Sequence, residues 1–282
     1  MIPNEKHQGS RGSAEWPRGL IRRVQPQRAH ERFMDSFPYS DTVMMKITDV
    51  ETLLRHRGEV RTTYIPERFS VITGGIIHDD DLKELRWTRE RNAVQAFDSD
   101  FHIPTDYPVY GDMEKAQRKS NIRKMMDGTR WMHDKLLSSS IQIIPLVKGY
   151  TTEERAICYE TLRELDLPYC AYYGAQYFGG KMGNGINKLN EDVREVVDEL
   201  GVDGVRLIGL QARDGLSKMP PEVVAAAGQR WIRKSDLRDV PMDAAQSQYL
   251  QWRQDVEETV LGAGQTTLGS FSPSPSEVVA HG

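Results

Sequence analysis

The feature that most constrains the fold of this chain is a regular alternation between short apolar runs and amphipathic helical segments. The apolar runs have the length of buried strands, and several are rich in β-branched or aromatic residues. They are FSVITGGII (residues 69–77), FHIP (101–104), IQIIPLV (141–147), PYCAYYGAQYF (168–178) and VRLIGL (205–210). Helical patterns are predicted over residues 79–97, 114–137, 151–167, 190–201 and, from its leading prolines, 220–232.

Strands that alternate with helices at this pitch predict parallel β/α units, and near-continuous apolar strands predict burial on both faces of the sheet. A barrel and a doubly wound sheet both satisfy these patterns. No GxGxxG follows the early strands, no GxxxxGK[ST] occurs, and the glycine-rich KMGNG (181–185) lacks the P-loop spacing. We therefore predict an α/β fold of the TIM-type (β/α)8 barrel class, which need not be regular.

The two ends of the chain differ from its middle. Residues 1–28 carry six basic and two acidic side chains, which is +4, so the remaining residues carry −8 of the net charge of −4. We predict a basic flexible arm over residues 1–32, a barrel over 33–261 and a disordered Ser/Gly/Pro-rich tail over 262–282. The arm, through Arg18, Arg22 and Arg23, could pair with nucleic-acid phosphates, and a solvated tail is an equal alternative.

Composition excludes several classes of protein. The two cysteines, Cys158 and Cys170, form no CxxC pair, which argues against a disulfide framework, a structural zinc site and an iron–sulfur cluster. No apolar run approaches the roughly 18 residues of a membrane span, and the amino terminus is polar. We expect a cytoplasmic protein with no membrane partner, no metal and no cofactor.

In a barrel of this class, catalytic and binding residues lie at the carboxyl ends of the strands. Asp106, Lys148, Tyr173 and Gly209 each follow or close one of the apolar runs. The simpler interpretation of Asp106, before Pro108, is a capped turn. We predict instead that these strand ends form the site.

Three segments carry a resemblance to a known family: FHIPTDYPVY, IQIIPLVKGYTTEERAICYETLREL, and PYCAYYGAQYF leading to VRLIGL. In their order and spacing they resemble the barrel of the tRNA-guanine transglycosylase superfamily. The closer likeness is to its 7-deazaguanine DNA-modification branch, the DpdA-type proteins of phages and bacterial modification islands. The resemblance covers roughly residues 69–240.

The resemblance implies a pentosyltransferase that replaces guanine in DNA with a 7-deazaguanine (preQ0-like) base through an aspartyl covalent intermediate. It implies DNA and the free base as partners, and it allows a homodimer and, for a viral protein, the host cytoplasm as the location. The three-cysteine, one-histidine zinc cluster of the tRNA enzymes is absent from the sequence, so a tRNA substrate is the less favoured alternative.

The resemblance also assigns roles residue by residue. Asp106 matches the aspartate that accepts hydrogen bonds from the purine. Lys148–Gly149 stands where the family has Gln–Gly, and Tyr173–Gly174 stands where it has Gly–Gly. The remaining predicted pocket residues are His102, Gln176, Ile208, Gly209 and Trp231. For His102 and Trp231 a place in the core is the more common alternative.

The position of the nucleophile stays open. Asp236 in RKSDLRD is the first candidate and Asp214 in QARDGL another, while a second register aligns AAAGQRW (225–231) with the family segment and leaves no aspartate. ITGGI (72–76) also lacks the aspartate of the family's DSGGF-like motif. Two alternatives follow: a lyase or aldolase built around Lys148, and a degenerate barrel that binds bases or nucleic acid without turnover.

Overall fold

The computed structural model describes residues 15–57, 61–178 and 185–260. Three predictions fall wholly or mainly elsewhere: the tail at 262–282, most of the KMGNG loop, and the first half of the basic arm lie outside the described residues. Everything below concerns the described part of the chain.

The described strands form a single curled sheet in which every pair is parallel. The sheet order is β5-β4-β3-β2-β1-β9-β8-β7-β6. The strands are β1 (Gly19–Val24), β2 (Asp41–Lys46), β3 (Phe69–Gly74), β4 (Phe101–Ile103), β5 (Gln142–Ile143), β6 (Leu146–Val147), β7 (Tyr169–Tyr173), β8 (Gly204–Ile208) and β9 (Val223–Gly228). The prediction of an α/β fold with a parallel sheet is confirmed.

Helices connect the strands and cover the outside of the sheet. They are α1 (Arg28–Ser36), α2 (Ile47–Arg57), α3 (Arg61–Tyr64), α4 (Asp79–Glu84), α5 (Trp87–Phe97), α6 (Lys115–Leu136), α7 (Thr152–Glu164), α8 (Ile186–Leu200), α9 (Arg213–Leu216), α10 (Arg230–Lys234) and α11 (Met242–Val260), and a 3-10 helix spans Ala175–Phe178. None of the helices in the described ranges is long and apolar enough to cross a membrane.

Two helix ends show why these segments fold as the sequence predicts. The hydroxyl of Thr151 accepts a hydrogen bond from the backbone N–H of Glu154 and caps α7. Gly201 ends α8 in the left-handed region, at φ 57°, where a residue without Cβ is favoured. Both helix ends therefore carry residues that favour capping at those positions.

The prediction of a helix over residues 220–232 is wrong. Residues 223–228 form the buried strand β9, paired to β1 on one side and to β8 on the other. The run of alanines has a high helix propensity. At the centre of a sheet covered on both faces, small side chains are what close packing allows, and tertiary contacts override the propensity.

The predicted boundary of the basic arm also needs correction. Residues 19–24 are a central strand of the sheet, and α1 follows it, so the sheet begins well before residue 33. Arg22 made this strand look like part of a solvated arm. Its guanidinium is fully buried, pairs with Asp41 at 2.9 Å and lies over the rings of Phe33, Phe37 and Tyr249. The charge of Arg22 therefore conceals β1 from sequence patterns.

Candidate functional site

The carboxyl ends of the parallel strands lie along one edge of the sheet, which we call the mouth. Arg23 lies near the end of β1, Asp106 follows β4, Lys148 follows β6 and Tyr173 ends β7. In parallel α/β folds, ligands bind at this edge. The structure therefore places the predicted Asp106, Lys148 and Tyr173 at the edge where a site is expected.

Asp106 and Lys148 form a buried ion pair at the mouth. Lys148 Nζ lies 2.8 Å from Oδ1 and 2.9 Å from Oδ2 of Asp106, and it also donates to the carbonyl of Tyr107 at 3.1 Å. The side chains of Lys148 and Asp106 are only 6% and 9% exposed. The backbone N–H of Tyr107 donates to Asp106 Oδ1 at 2.7 Å. The carboxylate is thus held in one orientation from two sides.

These contacts bear on what Lys148 can do. A lysine ammonium has three donors and no acceptor. All three of its donors have acceptors here, in the two oxygens of Asp106 and the carbonyl of Tyr107. A nucleophilic amine must lose a proton and expose its lone pair. This geometry favours a positioning role for Lys148 over Schiff-base chemistry.

Tyr173 connects this ion pair to the rest of the mouth. Lys148 Nζ lies 5.5 Å from the centre of the Tyr173 ring. Burial raises the pKa of the Tyr173 hydroxyl, the charge of Asp106 raises it further, and Arg23 opposes both effects. Burial lowers the pKa of Arg23, with Asp49 and Tyr173 acting in the opposite direction. These side chains share one electrostatic environment.

A cavity of about 660 Å³ opens beside Tyr173. Its walls come from the ends of β7, β8, β9 and β1 and from the segments that follow them. Its charged lining residues are Arg23, Asp214, Lys218, Arg230 and Arg233. Four cations face one carboxylate, so the cavity suits an anionic ligand such as a phosphate ester.

Ile208 and Gly209 line this cavity, as predicted for the floor of the pocket. Gly209 has a φ of 96°, and a Cβ at this position would lie 2.5 Å from the Cβ of Ala175. Gly149, beside Lys148, has a φ of 143°, and a Cβ there would lie 2.9 Å from the backbone nitrogen of Arg155. Both turns require glycine. At Gly174, in contrast, an added Cβ would lie 3.4 Å from its nearest neighbour, Leu189, which is an ordinary van der Waals distance.

His102 and Trp231 lie in the core and not in the mouth. His102 is fully buried, with Nδ1 3.0 Å from the hydroxyl of Thr73 and Nε2 3.1 Å from Glu90 Oε1. Trp231 is also fully buried, and its indole N–H donates to the carbonyl of Arg23 at 3.1 Å. Both residues are therefore core residues, as the alternative interpretation of the sequence predicted.

The three predicted nucleic-acid-binding arginines separate in space. Arg23 lines the cavity. Arg22 is buried among aromatic rings, so its guanidinium is not available to a phosphate. Arg18 is exposed and directly precedes β1, which places it at the amino ends of the strands, away from Asp106.

The two candidate nucleophiles, Asp214 and Asp236, also lie in different places. Asp214, in α9, lines the cavity. Asp236 is exposed in the connection between α10 and α11, at a φ of 47°, and is not a lining residue. Gln176 is half-buried in the 3-10 helix and is likewise not a lining residue. Of the two aspartates, only Asp214 lies in the cavity wall.

Sequence reasoning missed two residues of the mouth. Asp49 lies in the first turn of α2, and its Oδ2 is buried with no hydrogen-bond partner among the described residues. Burial raises the pKa of Asp49, while Lys46 and Arg23 lower it. Gln211 is buried, donates to the carbonyls of Ile21 and Ala226, and accepts from the N–H of Arg230. The pattern DTVMMK followed by ITD was the signal for Asp49, since it places a carboxylate just after a strand.

Within the described ranges, His, Cys, Asp and Glu side chains form no group of three or more that could hold a metal ion. Comparison of the chain with models of known protein families found no match, and a search of curated proteins found none either. The likeness to the transglycosylase superfamily therefore stays a prediction from the residues quoted above.

Proposed function

We propose that the chain is a base-exchange pentosyltransferase that replaces guanine in DNA with a 7-deazaguanine base. The observation that carries the proposal is the Asp106 carboxylate, held at the mouth by Lys148 and the N–H of Tyr107. Asp106 is not among the described lining residues of the cavity with the cationic wall, but Tyr173 lines that cavity and its ring centre lies 5.5 Å from Lys148 Nζ. Guanine presents an N1–H and an amino group side by side, which a carboxylate accepts with both oxygens. The cationic wall supplies the complementary contact to phosphate.

The proposal includes a closed TIM-type barrel. β5 and β6 belong to one extended segment. On one side of it, the backbone N–H of Gln142 donates to the carbonyl of Asp100 at 2.9 Å, and that of Ile144 donates to the carbonyl of His102 at 2.8 Å. On its other side, Pro145 O accepts from Ala171 N at 2.8 Å. These bonds support treating residues 142–147 as one interrupted strand shared by both edges of the sheet. The fold would then have eight strands, with β8 and β9 as the seventh and eighth.

That count agrees with the position of the cations. Barrels of this class frequently bind phosphate at the loops after their seventh and eighth strands. Lys218 follows β8, and Arg230 and Arg233 follow β9. In the proposed complex the purine stacks near Tyr173, over the apolar floor at Ile208, and its 5′ phosphate lies against these cations. A target guanine within duplex DNA must be flipped out of the stack to reach this depth.

The proposed chemistry uses Asp214 as the nucleophile. Its carboxylate oxygen forms a bond to C1′ as the bond from C1′ to guanine N9 breaks, and guanine leaves with the electron pair and takes up a proton from solvent. The incoming 7-deazaguanine then attacks C1′, the ester bond to Asp214 breaks, and the base loses its N9 proton to solvent or a carboxylate. Its place in the cavity wall favours Asp214 over Asp236.

One observation favours a second function, base binding without turnover. β9 ends in AAAG, and β3 ends in ITG with Gly75 directly after it, so neither segment supplies the aspartate that the resembled family carries in these regions. A lyase built on Lys148 is disfavoured by the three acceptors around its Nζ. Borohydride trapping of a carbonyl substrate on Lys148 would instead support the lyase.

The test is incorporation of radiolabelled 7-deazaguanine bases (preQ0 and preQ1) into duplex DNA and into tRNA by the purified chain. We expect label in DNA, loss of it in Asp106→Asn and Asp214→Asn, and retention in Asp236→Asn, which is the matched control. Label in tRNA alone would move the protein to the other branch of the superfamily. No label in either nucleic acid, together with intact binding of the free base, would establish the binding function instead.

A further inference from the structure

A second concave surface lies beside the mouth, between the α4–α5 region and α6. We call it the aromatic groove and define it by Trp87, Tyr107, Trp131, Arg86 and Lys124. It has a volume of about 680 Å³ and also takes in Pro108 and Asn121. Since Tyr107 directly follows Asp106 in the chain, the groove begins where the proposed base site ends.

The rings of the groove are partly accessible, and Tyr107 and Trp131 also pack against the core. Trp87, Tyr107 and Trp131 are all half-buried, and the two tryptophan rings lie 6.1 Å apart at an interplanar angle of 38°. Asn121 donates to the carbonyl of Pro108 at 2.6 Å and ties the loop that carries Tyr107 to α6. Half-exposed rings on a fixed frame are stacking platforms for planar groups.

The charge of the groove is positive. Arg86 and Lys124 are exposed and have no ion-pair partner within the described ranges, while Lys124 Nζ lies 4.7 Å from the centre of the Tyr107 ring. Lys83, at the rim, is paired with Asp80 at 2.8 Å. Among the described lining residues, Asp79 is the one acidic side chain, and it accepts a hydrogen bond from Tyr110 at 2.8 Å. Cations interleaved with rings match a chain of phosphates and bases.

We propose that the aromatic groove binds an unpaired strand of nucleic acid, with bases stacked on Trp87, Tyr107 and Trp131 and phosphates paired with Arg86 and Lys124. The proposal rests on the proposed function for the identity of the strand, which would be the nucleotides flanking the base in the mouth. Stacking requires free base faces, so the groove should prefer a single strand to a closed duplex.

The test is fluorescence anisotropy of a labelled mixed-sequence single-stranded DNA titrated with the full chain, repeated with duplex DNA and single-stranded RNA. Arg86→Glu/Lys124→Glu should weaken single-strand binding by at least about tenfold. The salt dependence, log K against log salt concentration, should become shallower by roughly 1.4, since each phosphate contact to a single strand contributes about 0.7. Trp131→Leu should weaken binding by about tenfold without changing that slope.

The charge-matched control is Lys135→Glu/Arg194→Glu. Both residues are exposed on helices and lie outside the groove, so this variant should bind as the parent chain does. Equal weakening by the control, unchanged binding by both groove variants, or a preference for duplex would overturn the proposal. Thermal melts followed by circular dichroism exclude misfolding as the cause.

Asp106→Asn separates this proposal from the proposed function. The substitution should abolish base exchange and leave the affinity for a guanine-free single strand unchanged, because Asp106 does not line the groove. Failure of base exchange in every variant, with groove-dependent strand binding intact, would remove the proposed enzyme and keep the groove. Equal binding of RNA and DNA would show that the groove does not distinguish the sugar, and RNA-only binding would overturn the DNA assignment of the strand.

Discussion

The Asp106–Lys148 pair gives the sharpest stability prediction, because each partner is buried and is the other's main source of neutralising charge. Lys148→Met leaves the carboxylate with only the N–H of Tyr107 as a donor. Asp106→Asn leaves the ammonium with amide and carbonyl acceptors but no counter-charge. Breaking a buried pair on one side costs about 3–5 kcal/mol, and we expect each single variant to lose about 3 kcal/mol of unfolding free energy.

The double variant Asp106→Asn/Lys148→Met should behave differently. It buries no charge, and replacing a whole buried pair is often close to neutral, so its loss should be only about 1 kcal/mol. The losses are therefore far from additive, with a coupling energy of about 5 kcal/mol between the two side chains. The measurement is urea unfolding followed by tryptophan fluorescence and circular dichroism at pH 7, with the m-value checked for each variant.

The matched control for this cycle is Arg163→Met, which removes a pair with Glu199 in which both side chains are about half exposed. Exposed pairs contribute little, so this substitution should change the unfolding free energy far less than Lys148→Met does. A double variant whose loss equals the sum of the two single losses would refute the argument. The two side chains would then not be a coupled, desolvated pair.

Three further predictions concern the frame around the site. Burial lowers the pKa of His30 from 6.5 to about 4, so the unfolded chain takes up a proton across that window while the folded chain does not. The free energy of unfolding should fall by about 3 kcal/mol as the pH drops from 6.5 to about 4. His30→Asn should remove most of this pH dependence, which urea unfolding at pH 7 and pH 4.5 measures. Gly209→Ala should lower the free energy of unfolding by about 2 kcal/mol and weaken ligand binding in the cavity, because a Cβ would meet Ala175 at a positive φ; an unchanged melting curve would count against this turn geometry. Gly128→Ala should fail to give the usual gain of about 1 kcal/mol for a helix interior, because its Cβ would lie 2.9 Å from Trp87 Nε1; a measured gain would show that the ring moves freely.

The same Gly128 shows how far the sequence could go. A glycine in a helix interior is unfavourable, yet α6 runs unbroken from Lys115 to Leu136. Propensity alone cannot show that a neighbouring indole occupies the space of a side chain. The pattern predicted the helix, and only packing explains the glycine.

The strand ends were predictable for a simple physical reason. Parallel strands with helices between them must bring their carboxyl ends to one edge, so Asp106, Lys148 and Tyr173 could be placed together without any coordinates. The direct pairing of Lys148 with Asp106 was not foreseen, because the two residues are 42 positions apart in the chain and follow strands that are not neighbours in the sheet order. The sequence pattern places both residues at the same edge of the sheet but does not show that their side chains point toward each other.

The missed strands have a common cause. β1 and β2 carry Arg22 and Asp41, charges that argue against burial when each is considered alone. In the fold they neutralise each other at 2.9 Å. Missing β2 also hid Asp49, which follows it. Charged pairs between neighbouring strands are invisible to local periodicity, and this one concealed β1 and β2 from sequence reasoning.

The central claim is that Asp106 recognises the hydrogen-bonding face of a guanine-type base, and equilibrium binding tests it most directly. Calorimetric titration of 7-deazaguanine bases should show binding to the parent chain and to Asp112→Asn, an exposed control six residues further on. Asp106→Asn should weaken it by at least about tenfold, the loss expected for hydrogen bonds to a charged acceptor. A hypoxanthine-type analogue, which lacks the amino group, should bind the parent chain more weakly than the guanine-type base does. In Asp106→Asn the two bases should bind with similar affinity. Equal affinities for both bases, or an affinity that Asp106→Asn leaves unchanged, would contradict the account.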